Sequence, residues 1–209
     1  MSGSVACCVA ATLAFIAAGC KAPAPSSSTS AAPPAAAPAA TTPSAAAPAT
    51  TTGRPVPVHI LAGYENNITT NGVTWLGAGT FFADGETIAR PDITIATSAD
   101  TGPAVIYQAE RYSMTKFNYG PVPNGNYTVK LHFCETYEGI TGPGMRVFGY
   151  TVQGDGPPVK DFDLFATAGA LKPVVRTVPV TVTNHTVGVD FTSQTENPQI
   201  NAIEILPGR

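Results

Sequence analysis

Between Tyr127 and Phe133 the chain alternates strictly. Tyr127, Val129, Leu131 and Phe133 fall on one face, and Thr128, Lys130 and His132 on the other. That period of two predicts a half-buried strand. It follows a turn, Pro121-Val-Pro-Asn-Gly125, and stops at Cys134, where a loop from Glu135 to Gly144 begins. A second strand, Arg146 to Gln153, then closes on Gly154-Asp-Gly. The pattern reads as a pair of strands joined by a long loop. The aromatic Tyr137 and the carboxylates of Glu135 and Glu138 lie where the strands stop. Loop groups at the end of a rigid sheet are where binding side chains concentrate.

Further strands are predicted at Val56–Ala62, Ile93–Ala96, Ala104–Tyr107, Phe117–Tyr119 and Val159–Phe162, and then at Val174–Val182, Thr186–Phe191 and Ala202–Leu206. Asn184-His185 supplies a tight turn, which predicts a hairpin between Val178–Val182 and Val187–Phe191. Phe165 to Leu171 predicts a short helical turn, and no amphipathic helix exceeds about two turns. Many short antiparallel strands separated by Gly/Pro turns predict an all-β domain, a β-sandwich of jelly-roll type.

That domain does not occupy the whole chain of 209 residues. Val5 to Gly19 is apolar and rich in small residues, too short for a spanning helix, which needs about 20. It fits a secretory leader over residues 1–19. Ile16-Ala-Ala-Gly-Cys20 resembles the lipobox of bacterial lipoproteins, in which the cysteine is lipidated; an ordinary cleaved leader or an uncleaved anchor are the alternatives. Residues 20–53 then hold that cysteine and an Ala/Pro/Ser/Thr stretch without aromatics. Such a composition cannot bury enough apolar surface to offset the entropy of ordering. It is expected to act as a tether of up to roughly 100 Å. The domain is expected over 54–209, displayed on the cell envelope (the outer membrane of a Gram-negative cell) or secreted, with the lipid anchor its sole link to a membrane.

Charge excludes one class of partner. Only 12% of residues are charged, the net charge is −3, and no Lys/Arg cluster occurs, so a nucleic-acid footprint is absent. Cys7, Cys8 and Cys20 precede the domain, which leaves Cys134 without a partner inside it; it reads as a small buried side chain. His59, His132 and His185 fall on separate predicted strands or turns with no metal-ligand spacing, so no metal and no cofactor are expected.

Tyr107-Gln-Ala-Glu-Arg-Tyr112, Phe117-Asn-Tyr119, Pro121 to Val129, His132-Phe-Cys-Glu-Thr-Tyr137, Arg146-Val-Phe148, Lys160 to Phe165 and Asn197 to Ile205 follow one another as they do in malectin domains. The resemblance runs from about Ile60 to Leu206. It implies a galactose-binding-like jelly roll that binds an oligosaccharide or glycan, α-linked glucose in animal malectin, without catalysis. By motif, Tyr137 falls where a tyrosine contacts sugar, and Glu138 where the family usually has a second aromatic. Glu196, before Asn197-Pro198, replaces the family's ligand-binding aspartate. Trp75 sits near the first contact tyrosine, and Phe81 or Phe82 is the candidate for the remaining ring. A pyranose offers an apolar C–H face to a flat ring and hydroxyls to fixed acceptors, so these residue types suit it.

Each candidate also has a structural reading. Trp75 and Tyr137 could pack the loops, and Glu196 could cap the Asn-Pro turn. Glu110-Arg111 is expected to form a buried ion pair between strands. Asp161 and Asp163 share a strand face, which suits either turn hydrogen bonds or a calcium ion. Glu110, Glu135, Glu138 and Glu196 supply carboxylates that a glycosidase would need. No nucleophile elbow, zinc motif or phosphate loop accompanies them, and no enzyme is expected. The other reading is a structural or adhesive module that binds a protein through a jelly roll whose sugar site has decayed.

Overall fold

The computed structural model describes residues 53–154 and 156–208. Residues 1–52, on which the expected leader, the expected lipidation of Cys20 and nearly all of the Ala/Pro/Ser/Thr stretch fall, lie outside the described residues. The first strands are β1 (Val58–Leu61), β2 (Ile68–Thr70), β3 (Val73–Trp75) and β4 (Glu86–Ala89). After a 3-10 turn at Ala104–Tyr107 come β5 (Ala109–Tyr112), β6 (Lys116–Tyr119), β7 (Gly125–Phe133), β8 (Val147–Val152) and β9 (Val159–Asp163). Helix α1 (Leu164–Ala168) precedes β10 (Val174–Val182), β11 (Val187–Thr195), β12 (Gln199–Ile200) and β13 (Ala202–Pro207).

Two four-stranded antiparallel sheets, ordered β1-β13-β7-β10 and β6-β11-β8-β9, form a jelly-roll sandwich. The alternation in β7 decides what lies between them. Val129, Leu131 and Phe133 are fully buried, alongside Ile203 and Ile205 of β13 and Phe117, Phe148 and Val189 from the facing sheet. Phe133, Phe148 and Phe162 form the centre, with ring centroids 5.2–5.9 Å apart. Edge-to-face and tilted contacts of this kind add to the area they bury.

Several expected pairings are corrected. The β7 strand lies in one sheet and β8 in the other, so loop 134–146 crosses the end of the sandwich instead of closing a hairpin. The same holds for β10 and β11: Val182 pairs with Gly125 of β7, and Val187 with Tyr119 of β6. Asn184-His185 is a corner between sheets, pinned by Asn124, which accepts from the His185 amide at 2.9 Å and donates to the Thr183 carbonyl at 3.0 Å. Ile93–Ala96 is irregular, and Ala104–Tyr107 coils behind Pro103, burying Ile106 and Tyr107 with no strand partner. Asp163 caps α1 by accepting from the Ala166 amide at 2.8 Å, and its other oxygen accepts from Gly144 at 2.6 Å, so both oxygens are spent on turn hydrogen bonds.

The outer face of the β1-β13-β7 sheet departs most from the pattern. Pairing sets His59 opposite Glu204, and Glu204 opposite Lys130, on the face expected to meet water. At one end that face is covered by a second apolar cluster, which includes Leu61, Trp75, Ile106, Tyr107 and Cys134. His132 is therefore 2% exposed, with Nε2 2.8 Å from Glu204 Oε1 and Nδ1 2.7 Å from the Tyr107 hydroxyl. His59 Nδ1 lies 2.9 Å from the second Glu204 oxygen, so two histidines meet at one carboxylate although they are far apart in sequence. Burial pushes the Glu204 carboxyl up, but the His132 bond and the neighbouring His132, Lys130 and His59 outweigh it and leave it below its ordinary range. Cys134 is fully buried, as its sequence context suggested, and burial pushes its thiol up to about 12.

Candidate functional site

Strands β4 and β5 build one wall of a cleft at the end of the sandwich. Their register sets Glu86 opposite Tyr112 and Ile88 opposite Glu110. Opposed residues share a face, and successive residues alternate. Glu86, Ile88, Glu110 and Tyr112 therefore point one way, and Arg90 continues the row. The Tyr112 hydroxyl donates to Glu86 at 2.6 Å, which holds the ring upright.

Arg111 points the other way, so the expected Glu110–Arg111 pair does not form. Arg111 contacts Glu65 at 3.2 Å and lies 5.0 Å over the Phe82 ring, whereas Glu110 pairs with Arg90 at 3.3 Å. Neighbours on a strand face opposite sides, which is why adjacency in sequence misleads here.

The other wall comes from two loops. Glu135 is fully buried; it accepts from Arg146 Nε at 2.8 Å and from the Tyr137 amide at 3.1 Å. Arg146 also donates to the Asn197 carbonyl at 2.6 Å, tying loop 134–146 to the segment before β12. Burial pushes the Glu135 carboxyl above its ordinary range, with Arg146 opposing it. Thr136 donates to Glu110 at 2.6 Å and accepts from Arg90 at 2.9 Å, so the two walls are joined.

This buried scaffold presents Tyr137, 43% exposed, to solvent. A Cβ on Gly139 would lie 2.6 Å from the Tyr137 ring; glycine leaves room for the phenol there. Glu196 adopts φ +61°, a left-handed backbone unusual outside glycine. That turn brings one carboxylate oxygen to the Asn197 amide at 2.9 Å and leaves the other without a protein partner in the described residues.

The result is a cleft of about 250 Å³ walled by Tyr112, Tyr137, Glu196, Asn197, Ile88 and Arg90. A larger cavity of about 600 Å³ adjoins it across Ile88, Arg90 and Tyr137. Of the residues singled out in the sequence, Tyr137 and Glu196 meet in the cleft, and Glu138 lines the larger cavity.

Trp75 and Phe82 are elsewhere. Trp75 is 4% exposed at the end of the β2–β3 hairpin, its ring 5.0 Å from His59 and 5.8 Å from His132. It lines a separate cavity and serves as the lid of the second cluster, because the outer sheet face there needs an apolar cover. Phe82 is 8% exposed and packs on Phe117 at 5.1 Å, within the main core; Phe81 packs against Phe117 and Tyr119. The structure adds Tyr112, Ile88 and Arg90, none of them anticipated. Tyr112 was within the quoted motif and two residues from Glu110, so strand alternation would have placed the two on one face.

The model of the malectin domain matches residues 58–203. The chain belongs to the malectin domain family. Two probable LRR receptor-like serine/threonine-protein kinases of Arabidopsis thaliana are similar to this malectin domain. They are 38% and 34% identical over 87 and 91 residues, or 38% and 40% of this chain. The matches span only 8% and 9% of those kinases. Among solved structures, a Bacteroides uniformis beta-glucuronidase superposes with a TM-score of 0.61 at 16% identity, over 73% of this chain and 18% of that one. The plant receptor-like kinase FER gives 0.60 at 17% identity, over 72% and 53%. At such identities the malectin domain and these neighbours share a fold, and nothing finer is carried across.

Proposed function

We propose that this malectin domain is a non-catalytic carbohydrate-binding module whose ligand enters the cleft between Tyr112 and Tyr137. The observation that carries the reading is the meeting of two tyrosine rings and the Glu196 carboxylate, from three separate parts of the chain, in one open cleft. Rings take the apolar face of a pyranose, and a held carboxylate with a free oxygen takes hydroxyls. The buried acids support binding over turnover. Glu110 is engaged by Arg90 and Thr136, and Glu135 by Arg146, so both serve the scaffold that holds the cleft. A glycan array probed with the full chain should give selective retention of neutral, glucose-containing oligosaccharides. No retention on any glycan would sink this reading and favour a protein-binding module.

The reading extends to the display of the domain. The lipobox-like Ile16–Cys20 and the Ala/Pro/Ser/Thr stretch favour a lipid anchor and tether on the cell envelope. Metabolic labelling with a fatty-acid precursor should mark the protein and fail in Cys20→Ser. Equal labelling of the two would rule the anchor out.

A further inference from the structure

The cavity of about 600 Å³ beside the sugar cleft differs from it in chemistry. Its walls include Ile88, Ile93, Ile140, Phe165, Ala170 and Leu171. The polar groups that reach it are largely committed elsewhere. Arg90 is held by Glu110 and Thr136, Thr136 donates to Glu110, and Glu135 serves Arg146 and the Tyr137 amide. Glu138, the Tyr137 hydroxyl and Thr141, which donates to Met145 Sδ at 3.5 Å, are the remaining polar groups on its walls. Each hydroxyl buried there without a partner would lose a hydrogen bond to water. A second sugar ring, with several hydroxyls, therefore fits this surface poorly, and an aliphatic group fits it well.

The two cavities share Ile88, Arg90 and Tyr137, so one ligand can lie across both. Charge narrows the class further. The two arginines that reach the cavities are each matched by a buried glutamate, while Glu138 and Glu196 are exposed. No unmatched cation among the lining residues is available for a phosphate or a carboxylate.

We propose that the ligand is a neutral glycan bearing an alkyl or acyl chain, with the sugar between Tyr112, Tyr137 and Glu196 and the chain in the apolar cavity. This rests on the carbohydrate reading, and the experiment separates the two. Calorimetric titration of the full chain compares methyl α-maltoside, hexyl α-maltoside and the sugar-free hexyl ether of triethylene glycol. A fully buried methylene is worth about fourfold in affinity. Partial burial of the hexyl chain should therefore make hexyl maltoside at least roughly tenfold tighter than methyl maltoside.

Ile93→Ser should bring the hexyl affinity down toward the methyl value. Leu171→Ser serves as a second variant should Ile93→Ser fail to fold. Equal affinity for the methyl and hexyl maltosides would overturn the amphiphile and leave the sugar reading standing. Binding of the sugar-free ether as tightly as hexyl maltoside would overturn the sugar reading. Failure of all three to bind would overturn the amphiphile, and the glycan array would then decide the sugar reading by itself.

Discussion

Arg146→Leu is expected to cost about 3–5 kcal/mol of stability, since removing one partner of a buried ion pair strands the other. Arg146 is 3% exposed and Glu135 is fully buried, so water cannot take the place of the guanidinium. The substitution also strips the Asn197 carbonyl of its donor. Denaturant unfolding of the wild-type and variant chains measures the loss. Its pH dependence has a definite sign. The folded Glu135 carboxyl sits above its ordinary range because burial disfavours the charged form. Between its unfolded and folded values the folded state holds more protons, so stability falls as pH rises through that window. The contribution is complete below the unfolded value, about 4.3, and is lost above the folded one. Arg146 opposes the rise, so in Arg146→Leu the window extends to higher pH. The deficit of the variant should therefore shrink as the solution is acidified. A deficit that stays constant from neutral pH down to mildly acidic conditions would show that Glu135 is not the group left uncompensated.

How far the sequence could anticipate this arrangement depended on how many neighbours each strand has. Long strands inside the sandwich, such as β7 and β11, bury one face along most of their length, and their alternation is plain. By contrast, β4 is exposed at every position and pairs only with β5, so no period marks it. Its Ile88 nevertheless ends up on the rim of the cleft. Ala104–Tyr107 has the composition of a buried strand, but Pro103 and the lack of a pairing edge make it a 3-10 turn; the apolar run reports burial and not conformation. Trp75 shows the same limit. Its neighbours in sequence, Thr74, Leu76 and Gly77, give no sign of its surroundings, His59, His132 and Tyr107, which approach from other strands and turns. Nor does local pattern reveal which sheet a strand joins. The Asn184-His185 corner and a hairpin turn call for the same residues.

Tyr137→Ala should lower glycan affinity by about 2 kcal/mol or more, roughly thirtyfold, the scale of an aromatic hot spot. Three features concentrate the effect on this side chain. Its ring stands between the two cavities, its backbone is held by the buried Glu135, and Gly139 lies against the ring. A ring positioned in this way loses little freedom on binding, so most of its contact area counts toward affinity. The cost to folding should stay within about 0.5 kcal/mol, because the side chain is 43% exposed and contributes no donor or acceptor to the scaffold in the described residues.

Tyr137→Phe keeps the stacking face and should lose at most a few-fold. Glu196→Gln keeps the size of the side chain but gives up a charge-assisted bond, and should fall between the two. Calorimetry on the glycan selected by the array, beside denaturant unfolding of each variant, tests the order. Full affinity in Tyr137→Ala would make the ring a lid over loop 134–146, and the sugar would have to be sought outside the cleft. Loss of affinity in parallel with loss of stability would mean that the substitution had disturbed the scaffold. Affinity lost from an intact fold is the outcome that the open, braced ring predicts.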